Sequence, residues 1–381
     1  MAAFRHLNNL FSVSIGDSMK IFKILFLFCA AALLLLPLAF TTTQERVVSP
    51  LDNRMLAAIP KTIQDWRSEG ENVLKDRIGF REDMVLFYRR VLYRLFGILE
   101  HPLYSAGSNG QLYLSDSASL DAYQSIYEDA DLERILAKLH TLHQYLQSRG
   151  KHLLYVQMPM KQSVYPEYMP SYIQKNTRPT LSLALENALK NTDIPHIFMT
   201  DVLRRYKAIE PTYYQKFDPA HYNIIGAFAA HEAIAHKLRE LYPDCPIPQR
   251  NDFRRTTKMV DLTPYFLKDT KEEIPVLARI SQPFEHRKMK DIVFASYSVN
   301  KDAPVKQTLL IVGDSYMFDS RVYDKGLGAF DYYAPAFEKV YLIPTDSLQN
   351  VLALVNRFQP DVVLYEAAEF KLLIKDHFRW E

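Results

Sequence analysis

Cysteine is nearly missing from this chain of 381 residues; there are two, Cys29 and Cys245. Cys29 falls inside an apolar run, so Cys245 is the sole thiol of the remainder. That excludes an internal disulfide framework there, and the spacing excludes a cysteine zinc site. A chain of this length needs no such staple, because it can bury a sizeable core. A surplus of either charge is missing too. With 46 basic and 44 acidic residues the net charge is +2, which gives no reason to expect nucleic acid or an anionic surface as partner. Internal repeats and low-complexity tracts are absent, which removes solenoids and linker-like arrays. Aromatics are plentiful, with 24 Tyr and 22 Phe. Such residues can form a surface that meets sugars or proteins, but they are more often ordinary core material, which is the expectation here.

The amino end bears on the compartment. Residues 24–40 carry no charge and are almost wholly apolar, close to the shortest length that spans a bilayer. Arg5, Lys20 and Lys23 precede them, which favours a cytoplasmic amino end. A cleaved signal peptide is the rival reading. The apolar region is long for one, and "TTTQE" after it lacks a small-x-small cleavage site. The expectation is an uncleaved, single-pass signal anchor over residues 21–41, with 1–20 in the cytoplasm. Residues 42–100 then form a linker and juxtamembrane helices, and 101–381 a domain outside the cytoplasm. Met19 is an alternative start, which would make 1–18 dispensable.

Further along, residues 61–98 alternate charged and apolar positions at helical spacing, which predicts two helices broken near Gly79. "GSNGQLYLSDS" (107–117) reads as a turn and a short strand. Residues 129–149 read as an amphipathic helix with acidic residues first and Gly150 after its end. His140 and His143 are placed on its surface. From residue 152 short apolar runs alternate with helical patterns. Strands are expected at 152–159, 194–203, 307–315, 339–346 and 361–369, and helices at 178–191, 226–242 and 348–358. This rhythm predicts an α/β fold with a mainly parallel sheet flanked by helices. Residues 245–306 lack the rhythm and read as an insertion lining the site. "HEAIAH" (231–236) looks like a zinc-binding helix, but its histidines are five apart. Two ligands on one helix face need i and i+4, so no metal is expected.

One constellation carries chemistry. The apolar run "QTLLIV" ends in Gly313-Asp314-Ser315. In an open parallel sheet the carboxyl ends of strands face the ligand crevice. A serine there can be activated by histidine, and its N–H can bind an oxyanion. An Asp-Ser pair can equally cap a following helix. The partners are in "YYQKFDPAHYNIIGAF" (213–228), where Asp218 and His221 sit just before a helix. On a tight loop containing Pro219, Asp218 can reach Nδ1 of His221 and leave Nε2 for the serine proton. On pattern alone a triad and a capped surface turn both fit.

Six blocks in order add a resemblance: "LKDRIGFRE" (74–82), "GSNGQLYL" (107–114), "VQMPMKQSVYPEYMP" (156–170), "YYQKFDPAHYNIIGAF" (213–228), "LLIVGDSYMFD" (309–319) and "PDVVLYEAAEF" (360–370). Together they resemble the SGNH-hydrolase-like proteins related to periplasmic alginate O-acetyltransferases. The likeness runs through most of the chain after the apolar segment. Two departures stand out: Asp-Pro-Ala-His replaces that family's Asp-x-His, and Tyr222 replaces its Trp. Separate Gly and Asn oxyanion blocks are not found.

The resemblance implies a membrane-anchored, extracytoplasmic O-acetyltransferase. Ser315 would be the nucleophile, His221 the base and Asp218 the third member, with Lys161, Tyr222, Tyr316 and Glu366 lining the substrate site. No cofactor is implied. A membrane-bound O-acyltransferase partner would supply acetyl, and a bacterial polysaccharide hydroxyl would accept it. The alternatives are an esterase removing acetyl from the same kind of polymer and a non-catalytic glycan-binding assembly subunit.

Overall fold

The computed structural model describes residues 2–44, 47–49, 54–99, 101, 103–262, 271–280, 285–292, 295–317, 328–344 and 351–374. It separates into two compact units, Met1–Phe96 and Gly97–Glu381.

The first unit holds helix α1 (Ala2–Ala39), the paired two-residue strands β1 (Val48–Ser49) and β2 (Arg54–Met55), and helices α2 (Ile63–Arg77) and α3 (Arg81–Phe96). Within α1, Met19–Ala39 is long and apolar enough to cross a membrane. The expected break near Gly79 lies between α2 and α3. Thr62 and Asp65 form a capping box at the start of α2, each side chain accepting the other's backbone N–H at 3.1 and 3.2 Å. The "LKDR" block has a local task. Buried Arg77 donates to the carbonyls of Ala57 and Gln44, both at 2.6 Å, and Asp76 accepts the Ala57 N–H at 2.9 Å. These bonds tie the segment after α1 to the end of α2.

The second unit contains, in order, β3 (Tyr104–Ala106), β4 (Leu112–Leu114), α4 (Ser117–Gln124), α5 (Asp129–Gln147), β5 (His152–Met158), α6 (Lys161–Val164), α7 (Leu181–Leu189), β6 (His196–Phe198), α8 (Met199–Lys207) and α9 (Ile224–Leu241). Then follow β7 (Phe253–Asp261), β8 (Lys271–Arg279), β9 (Glu285–Lys288), β10 (Ser296–Val299), β11 (Val305–Gly313), α10 (Ala329–Tyr333), β12 (Phe337–Pro344), α11 (Val351–Phe358) and β13 (Val362–Ala368). Seven strands form one sheet in the order β6-β5-β13-β11-β12-β10-β9. The first five run parallel, whereas β10 is antiparallel to both β12 and β9.

The sheet is therefore mixed. Its antiparallel edge comes from the stretch that lacks the strand–helix rhythm and reads as an insertion, and the same stretch folds β7 and β8 into a hairpin. Alternation there is masked by charged side chains on exposed faces, so no apolar run marked the strands. The strand expected over 194–203 is only three residues long, because the chain turns into α8 at Met199. The last helix is described over Val351–Phe358; residues 348–350 of the expected helix lie outside the described residues.

Successive residues of the central strands feed two cores, as the two-residue pleat requires. Leu309, Ile311, Val362 and Leu364 pack with α8, α9 and α10 on one face. Leu310, Val312, Val363 and Tyr365 pack with α5, α7 and α11 on the other. This burial on both faces explains why the central strands read as unbroken apolar runs. His143 is buried on α5, with Nε2 3.2 Å from Asp193, and His140 is half-buried, so neither is the open surface residue expected.

Helix α9 starts at Asn223, whose Oδ1 accepts the N–H groups of Ile225 and Gly226 at 2.9 Å each, while Nδ2 donates to Pro211 O at 2.8 Å. Asn223 is buried, so water cannot replace these bonds. Asn223→Ala should lower the unfolding free energy by about 2 kcal/mol, read as a shifted midpoint in urea at unchanged slope.

Candidate active site

The parallel strands present their carboxyl ends at one edge of the sheet, and three chain segments meet there. The first follows β11. Its turn is built by Asp314, which is buried. The Asp314 carboxylate accepts the N–H of Tyr316 at 3.0 Å and that of Ala368, at the end of β13, at 2.9 Å. Its own N–H donates to Glu366 Oε2 at 2.8 Å, and Met317 N–H returns to Asp314 O at 3.0 Å. Glycine is required at position 313, because a Cβ there would sit 2.9 Å from both Glu366 Oε2 and Met317 Cγ. Ser315 is left exposed at the tip of this turn.

The second segment is the loop before α9. One oxygen of Asp218 accepts the N–H groups of Ala220 and His221 at 2.9 and 3.0 Å. The other oxygen lies 2.8 Å from His221 Nδ1. One carboxylate thus both shapes the loop and orients the ring, and the longer Asp-Pro-Ala-His spacing is closed by that turn. Nε2 of His221 lies 2.8 Å from Ser315 Oγ. The structure therefore brings Asp218, His221 and Ser315 into one hydrogen-bonded chain.

Burial pushes the Asp218 pKa up, but the His221 charge and the bonds from His221 and Ala220 outweigh it and hold the carboxyl below its ordinary value. Burial likewise pulls His221 down, but Asp218, then Asp314, hold it above the ordinary imidazole value.

The four residues expected to line a substrate site are all buried, and each has a structural partner. Tyr222 and Tyr316 form a reciprocal clamp. The Tyr222 hydroxyl donates to Tyr316 O, and the Tyr316 hydroxyl donates to Ala220 O at 2.7 Å. Their rings meet edge to face at 5.1 Å, and the His221 ring lies 5.0 Å from that of Tyr316. The histidine loop and the serine turn are thereby fastened to each other. Glu366 sits beneath the serine turn. Burial and the nearby Asp314 push its pKa well above the usual carboxylate range. Lys161, just past the end of β5, spends its three donors on the carbonyls of Leu112, Tyr214 and Gln215 at 2.7, 2.7 and 2.9 Å. Burial pulls its pKa down to about 7, against the opposing charges of Glu272 and Asp218. Its ammonium has no donor left for a ligand.

The third segment lies in the stretch that reads as an insertion lining the site, but the sequence does not single out its acting residue. Glu272, on β8, accepts the N–H groups of Gln215, Lys216 and Phe217 at 2.8, 2.7 and 2.7 Å. These are the three residues immediately before Asp218. Only contact across 55 to 57 residues of chain reveals this, and a lone glutamate in a charged hairpin gives no signal. Asp314 was visible only as the middle letter of Gly-Asp-Ser. His231, from the rejected zinc motif, is a core residue. Its Nδ1 lies 2.8 Å from the Tyr333 hydroxyl, and burial holds its pKa down to about 3. Among the described residues no group of His, Cys, Asp and Glu could hold a metal ion.

A three-layer α/β unit with serine, histidine and aspartate at the carboxyl edge of its sheet has the build of an SGNH-hydrolase-like protein. Residues 105–320, more than half of the chain, match the model of the family described as SGNH hydrolase-like domain, acetyltransferase AlgX. The chain belongs to that family. Among solved structures it is similar to PatB1 of Bacillus cereus carrying a sulfonyl adduct, with a TM-score of 0.57 and 13% identity over 73% of this chain and 97% of that one. It is also similar to the O-acetyltransferase domain of Pseudomonas putida AlgJ, with a TM-score of 0.48 and 18% identity over 72% of this chain and 94% of that one. At 13% identity the likeness to PatB1 is one of fold. A search of curated proteins found no match.

The His221–Asp218 pair yields a signed expectation. His221, raised, adds stability in full below the unfolded imidazole value, about 6.5, and loses it as pH rises through its folded value. Asp218, lowered, adds stability above the unfolded carboxyl value and loses it as pH falls through its folded value. In an NMR titration the His221 midpoint should therefore lie above about 6.5 and drop in Asp218→Asn. An unmoved midpoint would show that the carboxylate does not control the ring. Glu272→Ala, by freeing the three N–H groups that hold the acid loop, should cost about 2 kcal/mol of stability and move the His221 midpoint in the same direction.

Proposed function

We propose that this protein is a membrane-anchored, extracytoplasmic O-acetyltransferase that carries acetyl on Ser315 and passes it to a hydroxyl of a bacterial polysaccharide. The observation that carries the reading is the unbroken chain Asp218–His221–Ser315, with 2.8 Å at each link, in a member of an acetyltransferase family. Ser315 Oγ attacks the acetyl carbonyl while His221 Nε2 takes the hydroxyl proton. Asp218 stabilises the imidazolium that forms. The Ser315 N–H donates to no described group, which leaves it to hold the oxyanion. The tetrahedral adduct collapses, the donor oxygen leaves with the proton from His221, and acetyl-Ser315 remains. In the second half His221 takes a proton from the sugar hydroxyl. That oxygen attacks the acetyl carbonyl, and Ser315 departs reprotonated.

The apolar Met19–Ala39 stretch supports an anchor, with the second unit on the outer face. Acetyl would then reach it from the membrane, handed on by a membrane-bound O-acyltransferase. The proposed steps call for no cofactor. A deacetylating esterase would use the same three residues, and the exposure of Ser315 favours that second reading, since water reaches the serine too.

The test uses the full chain in detergent, an acetyl ester donor, and oligosaccharide present or absent, with acetyl followed by mass spectrometry. Acetyl should appear on sugar, and Ser315→Ala should lower the rate by about ten-thousandfold or more while leaving the protein folded. Acetate release at one rate with every acceptor tried would favour the esterase. A sulfonyl fluoride should modify Ser315 and spare the His221→Ala protein. Full activity in Ser315→Ala would overturn the assignment.

A further inference from the structure

A cleft of about 770 Å³ opens on the second unit, and none of Ser315, His221 and Asp218 lines it. Its walls come from the β3–β4 turn, the Tyr165–Tyr168 segment after α6, and the β7–β8 hairpin, while residues 213–216 supply another side. The two first walls are drawn together by Gly107, where a Cβ would fall 2.1 Å from Tyr168 O. We propose that this cleft binds a neutral sugar chain.

Three observations carry the proposal. First, Gln111 lines the cleft and is 9% exposed, yet its side-chain Oε1 has no hydrogen-bond partner among the described residues. A buried amide oxygen left this way is costly unless something donates to it, and a sugar hydroxyl is such a donor. Second, the rings of Tyr165 and Tyr168 stack at 6.3 Å, with Tyr168 only half-buried. An aromatic face beside polar groups suits the apolar C–H face of a pyranose.

Third, the charges lining the cleft balance, with Lys207, Lys216, Arg255 and Lys271 against Glu167, Glu210, Glu272 and Glu273. The carboxylates are already engaged. Glu167 pairs with Lys207 at 2.9 Å, Glu210 with Arg255, Glu273 with the Thr257 hydroxyl at 2.6 Å, and Glu272 with backbone N–H groups. With four charges of each sign the wall carries no net charge to select an anion or a cation, whereas a polyhydroxylated neutral ligand needs neither. The inference rests on the proposed function only for its consequence: a polymer acceptor would be gripped away from the reacting serine.

Calorimetry on the full chain in detergent would use chitohexaose and cellohexaose as neutral probes and an oligogalacturonate as the anionic one. A neutral probe should bind, and Tyr168→Ala and Gln111→Leu should each weaken it about tenfold or more. In the unaltered protein, hydrogen exchange should slow at residues 165–168 and 213–216 when the probe is added, which needs no variant to fold. No binding of either neutral probe, preference for the anionic probe, or binding indifferent to both substitutions would overturn the cleft. Sulfonyl fluoride labelling of Ser315 in the same samples separates the two readings. Labelling without sugar binding sinks only the cleft, and sugar binding without labelling sinks only the serine chemistry.

Discussion

The carboxylate of Asp218 is buried, accepts two backbone N–H groups and faces one imidazole. A buried charge is tolerated only when its lone pairs are matched, and here they are matched by the loop that the charge itself folds. The consequence reaches further than the loop. An ionised Asp218 fixes which nitrogen of His221 carries the proton and aims the other at Ser315. Were the carboxyl displaced by an ångström, both the loop turn and the ring orientation would go together.

That carboxylate stays in place because the four residues before it are held from two sides. Lys161 reaches up from the end of β5 and takes two of the segment's carbonyls, at Tyr214 and Gln215. Glu272 comes from the β7–β8 hairpin and takes the N–H groups of Gln215, Lys216 and Phe217. Hydrogen bonds to charged groups contribute roughly 1.5–3 kcal/mol each. Burying an ammonium costs several kcal/mol, and burial pulls the Lys161 pKa down to about 7. The net gain in stability is therefore small. What such an arrangement yields is a single position for the loop, since a slip of one residue would leave the lysine donors and the glutamate oxygens unmatched at once. The Tyr222–Tyr316 clamp applies the same logic on the serine side.

These relations explain what could be read in the chain beforehand. The central strands were legible because burial on both faces writes a continuous apolar run, as at Leu309–Val312 and Val362–Tyr365. The catalytic candidates were legible because Asp218 and His221 interact locally and Ser315 ends a strand. Lys161, Tyr222, Tyr316 and Glu366 were picked out through the resemblance, but as substrate contacts. Sequence does not reveal the direction a side chain faces, and all four turn inward to hold the site together. Glu272 and the antiparallel strands were illegible for one shared reason. Their partners are distant in sequence, and an exposed strand face carries charges that hide the alternation.

On the proposed reading, transfer must outrun hydrolysis at a serine that is open to solvent. The described residues leave Ser315 exposed, so they do not supply that bias by shielding it from water. The remaining physical means is to raise the effective concentration of the acceptor hydroxyl, and well-oriented groups reach roughly 10^5 M or more. An acceptor held along its length by a surface away from the serine gains that advantage, because binding energy from remote sugars is spent on placing one hydroxyl. A free monosaccharide gains little of it. The acid loop lies where both demands meet: its residues 213–216 line the sugar-sized cleft, and the chain continues directly into Asp218. A polymer seated there would press on the segment that Lys161 and Glu272 already hold rigid. The grip on the acceptor and the alignment of the base would then depend on the same few hydrogen bonds.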